Sequence, residues 1–189
     1  YLSFMRRLMT HGGAEPVDGE GPPIPPLHAR ILLGGKVDGY GGIMPGLFEE
    51  ALLAWERDPP LPVYILGGFG GAARALAEAL LETPDHDPRL FTLEHHRQRT
   101  VKLRILLFHH QRDADPGRHG LPDRRYDALQ QTLVRLRDSV RERDDDDAWP
   151  GLDNGLSLEE NRRLMLSNDL TEVEGLLLRG LGTLACQPR

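Results

Sequence analysis

Two glycine clusters carry most of the chemistry that this sequence could perform. Gly34, Gly35, Gly39, Gly41 and Gly42 follow the apolar run of Ile31, Leu32 and Leu33, putting five glycines within nine residues. The second cluster, Gly67, Gly68, Phe69, Gly70 and Gly71, follows Val63, Tyr64, Ile65 and Leu66. Glycine lacks a side chain and takes positive φ, so several together let backbone N–H groups close around an anion. Phosphate or pyrophosphate is the natural guest, although the same composition also suits a loop that is only mobile. The second cluster runs directly into a helix, whose N-terminus is itself an anion site. No Lys-Ser or Lys-Thr pair follows the glycines and no G-x-G-x-x-G is present, so neither a P-loop nor the usual dinucleotide fingerprint is indicated.

The side chains around these turns supply the remaining contacts. Met44, Pro45 and Gly46 open a helix in which proline at the start costs nothing. Glu49 and Glu50 fall in its first turn, where they either complement the helix dipole or accept hydrogen bonds from a ribose hydroxyl. The phosphates of a nucleotide are expected over Gly34, Gly35, Gly41, Gly42 and residues 67–70, with Gly71 closing the turn. Lys36 and Tyr40 are placed against phosphate or base. Phe69 either stacks on a base or packs on the sheet edge. Arg6 either faces water or reaches an anion at a nearby strand end.

The elements that must position these groups follow from periodicity. Residues 2–9 read as a short helix packing through Leu2, Met5, Leu8 and Met9, with Arg6 and Arg7 largely in water. Residues 11–26 read as a flexible loop. Residues 29–33 and Val63–Leu66 are short apolar runs suited to parallel strands covered on both faces. The helix from Ala72 stops before Thr83 and Pro84. Thr100 to Phe108 reads as a helix end or a buried strand, and residues 113–122 as a polar loop. Tyr126, Leu129, Leu133, Leu136 and Val140 give an amphipathic helix from Asp123 to about Arg143 that covers a sheet face. The acidic run 144–147 is its solvated exit. Ser157 and Glu160 form a capping box for a helix at residues 158–166, and a last helix spans residues 172–181.

Composition removes several functions. The net charge of −6 argues against nucleic-acid binding, which requires a basic patch. A single cysteine, Cys186, excludes a disulfide framework and fits a reducing cytoplasm. No apolar run is long enough for a membrane span. His95 with His96 and His109 with His110 are adjacent pairs, unlike helical metal ligands spaced i, i+4, so no metal is expected. The acidic run lacks the glycine and alternating ligands of a calcium loop. One α/β domain over residues 1–189 is expected.

The stretches LLGGKVDGYGGIMPGLFEEALLA (32–54), VYILGGFGGAARALAEAL (63–80) and NGLSLEENRRLMLSNDLTEVEGLLLRGL (154–181) together resemble a bacterial branch of the SLOG superfamily. This is the Rossmann-like group that includes DprA-like and LOG-like proteins. The resemblance covers most of residues 2–81 and again 154–181. It implies a mostly parallel sheet flanked by helices and a sensor of nucleotide-derived signals. The implied ligand is an ADP-ribose derivative or a cyclic nucleotide, with no cofactor and no catalytic residue. An effector domain in the same or a partner chain, a role in anti-phage defence and a homo-oligomer are implied with it. The wider superfamily includes nucleoside-monophosphate phosphoribohydrolases, whose P-G-G-x-G-T-x-x-E motif is loosely similar to residues 44–50; on that alternative Glu49 or Glu50 would serve N-glycosidic cleavage. The central Gly-Thr pair of the motif is absent here. The branch usually begins with another strand and a glycine turn ahead of the LSFMRRLM-like helix, which this chain lacks. Part of the pocket is therefore expected from a longer protein or a partner, and a start at Tyr1 rather than Met fits a piece of something larger.

Overall fold

Pro62 and the short apolar run after it start a strand beside another: Arg30–Leu33 (β1) and Val63–Leu66 (β2) pair in parallel, with Arg30 opposite Val63 and Leu33 opposite Leu66. The computed structural model describes residues 2–12, 25–99 and 122–186. The expectations for most of the loop at 11–26, for residues 100–121 and for His109 and His110 lie outside the described residues. Ahead of β1 lies α1 (Leu2–His11), and α2 (Gly46–Glu56) makes the crossover between the strands. After β2, a 3-10 turn (Gly67–Phe69) leads into α3 (Gly71–Leu81). A second 3-10 turn (Pro88–Phe91) precedes α4 (Leu93–Arg99), followed by α5 (Pro122–Asp138), α6 (Leu158–Leu166) and α7 (Leu170–Ala185). The class is α/β, but two strands make up the whole sheet among the described residues.

Strand alternation sorts the core into two sides. Leu32, Val63 and Ile65 join the larger cluster, with Phe48, Leu52 and Trp55 of α2, Leu76 and Leu80 of α3, and Leu129 and Leu133 of α5. Tyr64 and Leu66 face the opposite way, into a smaller cluster with Leu156, Leu164, Val173 and Leu176. Here the expected two-sided burial of β1 fails. Ile31 and Leu33, on the same side as Tyr64 and Leu66, are 47% and 53% exposed, because the second-side cluster is built over β2. Nor does α5 lie chiefly on the sheet; it packs mainly against α3 and α2. In α1, Met9 is 45% exposed rather than packed.

The far edge of β2 is closed by polar groups that the periodicity does not flag. The Val63 N–H donates to the Leu152 carbonyl at 2.9 Å, and Asn154 Nδ2 donates to the Val63 carbonyl at 2.8 Å. Asn154 also donates to Asn161 Oδ1 at 2.7 Å, accepts from the Leu156 N–H, and receives the Tyr64 hydroxyl on its own carbonyl at 2.7 Å. Both asparagines are 1% exposed. In α6 the capping box forms as expected, with Ser157 and Glu160 each bonded to the other's backbone N–H. The last helix begins at Leu170 because Asp169 accepts from the N–H groups of Thr171 and Glu172. The fifth helix ends at Asp138, earlier than expected: Trp149 Nε1 and Ser139 Oγ both donate to the Leu136 carbonyl, and the exposed acidic turn follows.

Two outcomes follow from this packing. Asn154→Leu, which leaves Asn161 Oδ1 and the Val63 carbonyl without the Asn154 donor, should cost about 2–3 kcal/mol in urea unfolding; a loss under about 0.5 kcal/mol would show that the edge closes without it. Burial pushes the hydroxyls of Tyr64 and Tyr40 up to about 12 and raises that of Tyr126 as well. Their neutral forms favour the fold at any pH below the ordinary tyrosine value of about 10, and this stability is lost as pH rises from there through about 12. Tyrosinate absorbance should therefore rise together with loss of far-ultraviolet circular dichroism; ionisation of all four tyrosines in a still-folded chain would contradict the burial.

Candidate functional site

The motif Met44-Pro45-Gly46 places the start of α2 at the carboxyl end of β1, with Pro45 as N-cap and no side chain capping the turn. The N–H groups of Gly46, Leu47 and Phe48 are the donors that a helix N-terminus leaves without an internal acceptor. Gly46 lies against the guanidinium of Arg6, which a Cβ at this position would overlap. Arg6 comes from α1 and so does not point into water as its sequence position suggests. Its Nη1 donates to Glu49 Oε2 at 2.9 Å and its Nε to Glu50 Oε1 at 3.2 Å.

The two glutamates differ sharply in environment. Glu49 is 1% exposed, and both its oxygens are engaged: Oε2 also accepts from Ser3 Oγ at 3.0 Å, and Oε1 pairs with Arg125 of α5. Glu50 is 25% exposed and pairs through Oε2 with Arg30 Nη1 at 3.1 Å. Arg30 is 6% exposed, and its Nη2 donates to Thr10 Oγ1 at 2.7 Å. Burial lowers the Arg30 pKa and the Glu50 carboxylate opposes that shift. Three guanidiniums thus surround two carboxylates, one positive charge in excess, and of the three it is Arg6 that lies on Gly46 at the α2 N-terminus.

The two glycine turns meet. Gly35, at φ +83°, lies between the starts of α2 and α3, where a side-chain Cβ would come within 3.3 Å of the Cβ atoms of both Leu47 and Ala72. The N–H of Ala72 donates to the Gly35 carbonyl at 3.0 Å, and that of Ala73 to the Gly34 carbonyl at 2.8 Å. Two of the first donors of α3 are therefore taken from within the protein, by the first glycine turn. Gly68 packs so closely on the Ser167 carbonyl that a methyl group there would overlap it.

Among the remaining expected contacts, Lys36, Gly41 and Phe69 are exposed, with Phe69 at 36%. Gly42 is half-buried and Gly70 and Gly71 lie at the rim of the second turn. Tyr40 and Met44 are core residues, 7% and 1% exposed, so both act from beneath the turn rather than on its surface. The Tyr40 hydroxyl lies 3.3 Å from that of Tyr126, which donates to the Ile43 carbonyl at 3.1 Å. Sequence reading passes over Ser3, Thr10, Arg30, Arg125 and Tyr126. Arg30 carries a usable signal, a lone charge in an apolar strand, whereas Arg125 carries none, since its partner lies 76 positions away.

Comparison with known proteins agrees with this architecture. The model of the family SLOG cluster2 matches residues 25–164, a span that includes both glycine turns, both glutamates and Asn154. No curated protein and no solved structure matches the chain. Among the described residues no helix is long and apolar enough to cross a membrane, and no cluster of three or more potential metal ligands occurs. With well over half its length covered by that model, the chain belongs to the SLOG superfamily, in the cluster2 family.

Proposed function

We propose that this is a nucleotide-derived signal-sensing domain, which binds an ADP-ribose-type or cyclic nucleotide and regulates an attached or associated effector in bacterial anti-phage defence. The observation that supports it best is the start of α2, at the carboxyl end of a parallel strand: N–H groups unshared among the described residues, the Arg6 guanidinium across Gly46 and a Glu50 that is 25% exposed. Open parallel sheets bind ligands at that end, and a helix N-terminus with a neighbouring guanidinium favours phosphate. Lys36, Gly41, Gly42 and Phe69 are exposed or part-exposed residues of the two turns, and Gly70 and Gly71 join them at the rim of the second, while Gly67 and Gly68 back that turn against the end of α6. Glu50 is the carboxylate a ribose can reach while the Ser3, Arg6 and Arg125 contacts to Glu49 stay intact.

The wider Rossmann-like sheet belongs to this proposal too. Parallel sheets are normally covered on both faces, and two strands are marginal alone. Alternation turns the N–H and C=O groups of Ile31 and Leu33 away from β2, along the outer edge of β1. A further strand, from a longer form of the protein or from another copy in a homo-oligomer, would pair there and complete the ligand pocket.

In calorimetric titration of the full-length protein against ADP-ribose, NAD and cyclic nucleotides, at least one should bind. Glu50→Gln should weaken that ligand about tenfold, the effect of one charge-assisted hydrogen bond, with circular dichroism unchanged. Absence of binding across the panel rejects the sensing reading, and release of free base from AMP would favour the phosphoribohydrolase alternative instead. For the sheet, the amides of Ile31 and Leu33 should exchange slowly in the full-length protein; exchange at the rate of exposed loops would place no strand against β1.

A further inference from the structure

His96 stands where three elements meet. It is 0% exposed on α4, its ring stacked on Tyr126 of α5 with centroids 5.4 Å apart and edge-on to Tyr40 of the glycine-rich loop at 5.3 Å. Its Nε2 lies 2.7 Å from the Leu90 carbonyl. A carbonyl only accepts, so the proton of the neutral ring is on Nε2 and Nδ1 is left with a lone pair. Nδ1 is buried, with no hydrogen-bond partner among the described residues. The two tyrosines that enclose the ring hold the loop: their hydroxyls are joined, and Tyr126 donates to the Ile43 carbonyl, one residue before Met44.

We propose that His96 is a proton-operated latch on the glycine-rich loop that leads into α2: neutral, it locks Tyr40 and Tyr126 together; protonated, it releases residues 36–46. A proton on Nδ1 would bring a cation and a donor into a buried aromatic enclosure where Nδ1 has no hydrogen-bond partner among the described residues, at the cost of both desolvation and an unmade hydrogen bond. The charges around it do not relieve this. Asp38 on the loop favours the charged ring, while His95 and Arg99 on α4 oppose it, and Asp38 and Arg99 are themselves an ion pair at 3.5 Å. From α5 the group presented is the Tyr126 ring, and from the 3-10 turn the Leu90 carbonyl, already bonded to Nε2. Burial holds the imidazole below its ordinary value, so the fold favours the neutral ring. The latch is closed above the ordinary imidazole value of about 6.5 and weakens as pH falls from there through the lower folded value. Its consequence for a nucleotide ligand rests on the function proposed above, but the motion itself does not.

Amide exchange read by mass spectrometry, corrected for intrinsic rates, tests the latch without ligand. Between pH 7.5 and pH 5, opening of residues 36–46 should increase by up to about tenfold per pH unit in the window between the two imidazole values, while residues 158–166 stay protected. His96→Phe, which keeps the stacking and cannot titrate, should leave the opening independent of pH. Equal protection of 36–46 at both pH values, or an unchanged pH response in His96→Phe, overturns the proposal. Should that variant not fold, the native chain answers by nuclear magnetic resonance: the His96 ring should titrate below the ordinary value, in step with the Tyr40 and Tyr126 ring signals. Titration at the ordinary value, or still tyrosine signals, rejects it. Failure of all nucleotides to bind, with exchange behaving as described, would reject the sensing function and leave the latch standing.

Discussion

The carboxylate of Glu49 is buried to 1% exposure, and the arrangement of the candidate site depends on how that charge is satisfied. An isolated carboxylate in such a position is strongly disfavoured, and removing one partner from a buried pair typically costs about 3–5 kcal/mol. Its partners come from far apart in the chain: Ser3 and Arg6 on α1 and Arg125 on α5. Meeting the electrostatic demand of one side chain therefore fixes two helices against a third. Arg6 then bridges to Glu50, and Glu50 to Arg30, so β1 is brought into the same network. Desolvation offsets much of what such a network adds to net stability. Here the arrangement is a guanidinium laid over the first turn of α2.

The same end of the sheet shows how two similar glycine turns divide labour. The carbonyls of the first turn, at Gly34 and Gly35, accept from the N–H groups of Ala73 and Ala72 at the N-terminus of α3. The second packs its backbone on the end of α6, with Gly68 against the Ser167 carbonyl. Close backbone approach accounts for glycine at these places before any ligand is considered. At the start of α2 the N–H groups of Gly46, Leu47 and Phe48 have no acceptor among the described residues and Arg6 lies beside them, which is why the proposed site is centred on the Met44-Pro45-Gly46 segment. Beneath that segment, Tyr40, Tyr126 and His96 form a floor that links it to α4 and α5.

Much of the local structure was legible from the residues. Val63–Leu66 and Leu158–Leu166 have the bounds that apolar length and the Ser157/Glu160 box predict, because strand and cap signals are short-range. Helix ends drifted where a distant group intervened, as at Asp138, where the Trp149 indole takes the Leu136 carbonyl. The expected burial of β1 on both faces fails because an apolar run reports what a strand can bury, and not which helices reach it. Of the site, the glycines and glutamates were found by type, while Glu49 and Glu50 were indistinguishable until Arg125 and Arg30 were placed.

The sequence by itself determined the alternation of strand, glycine turn and helix, the kinship with SLOG proteins, and the residue types gathered at the strand ends. These follow from near-neighbour periodicity, backbone freedom and capping, which act over a few residues. Only the tertiary structure decided that Glu49 is buried and Glu50 within reach, that α3 is capped by the first turn, and that a neutral histidine braces the loop before α2. Each of these depends on groups separated by tens of residues, whose desolvation and pairing exist only once the chain has packed.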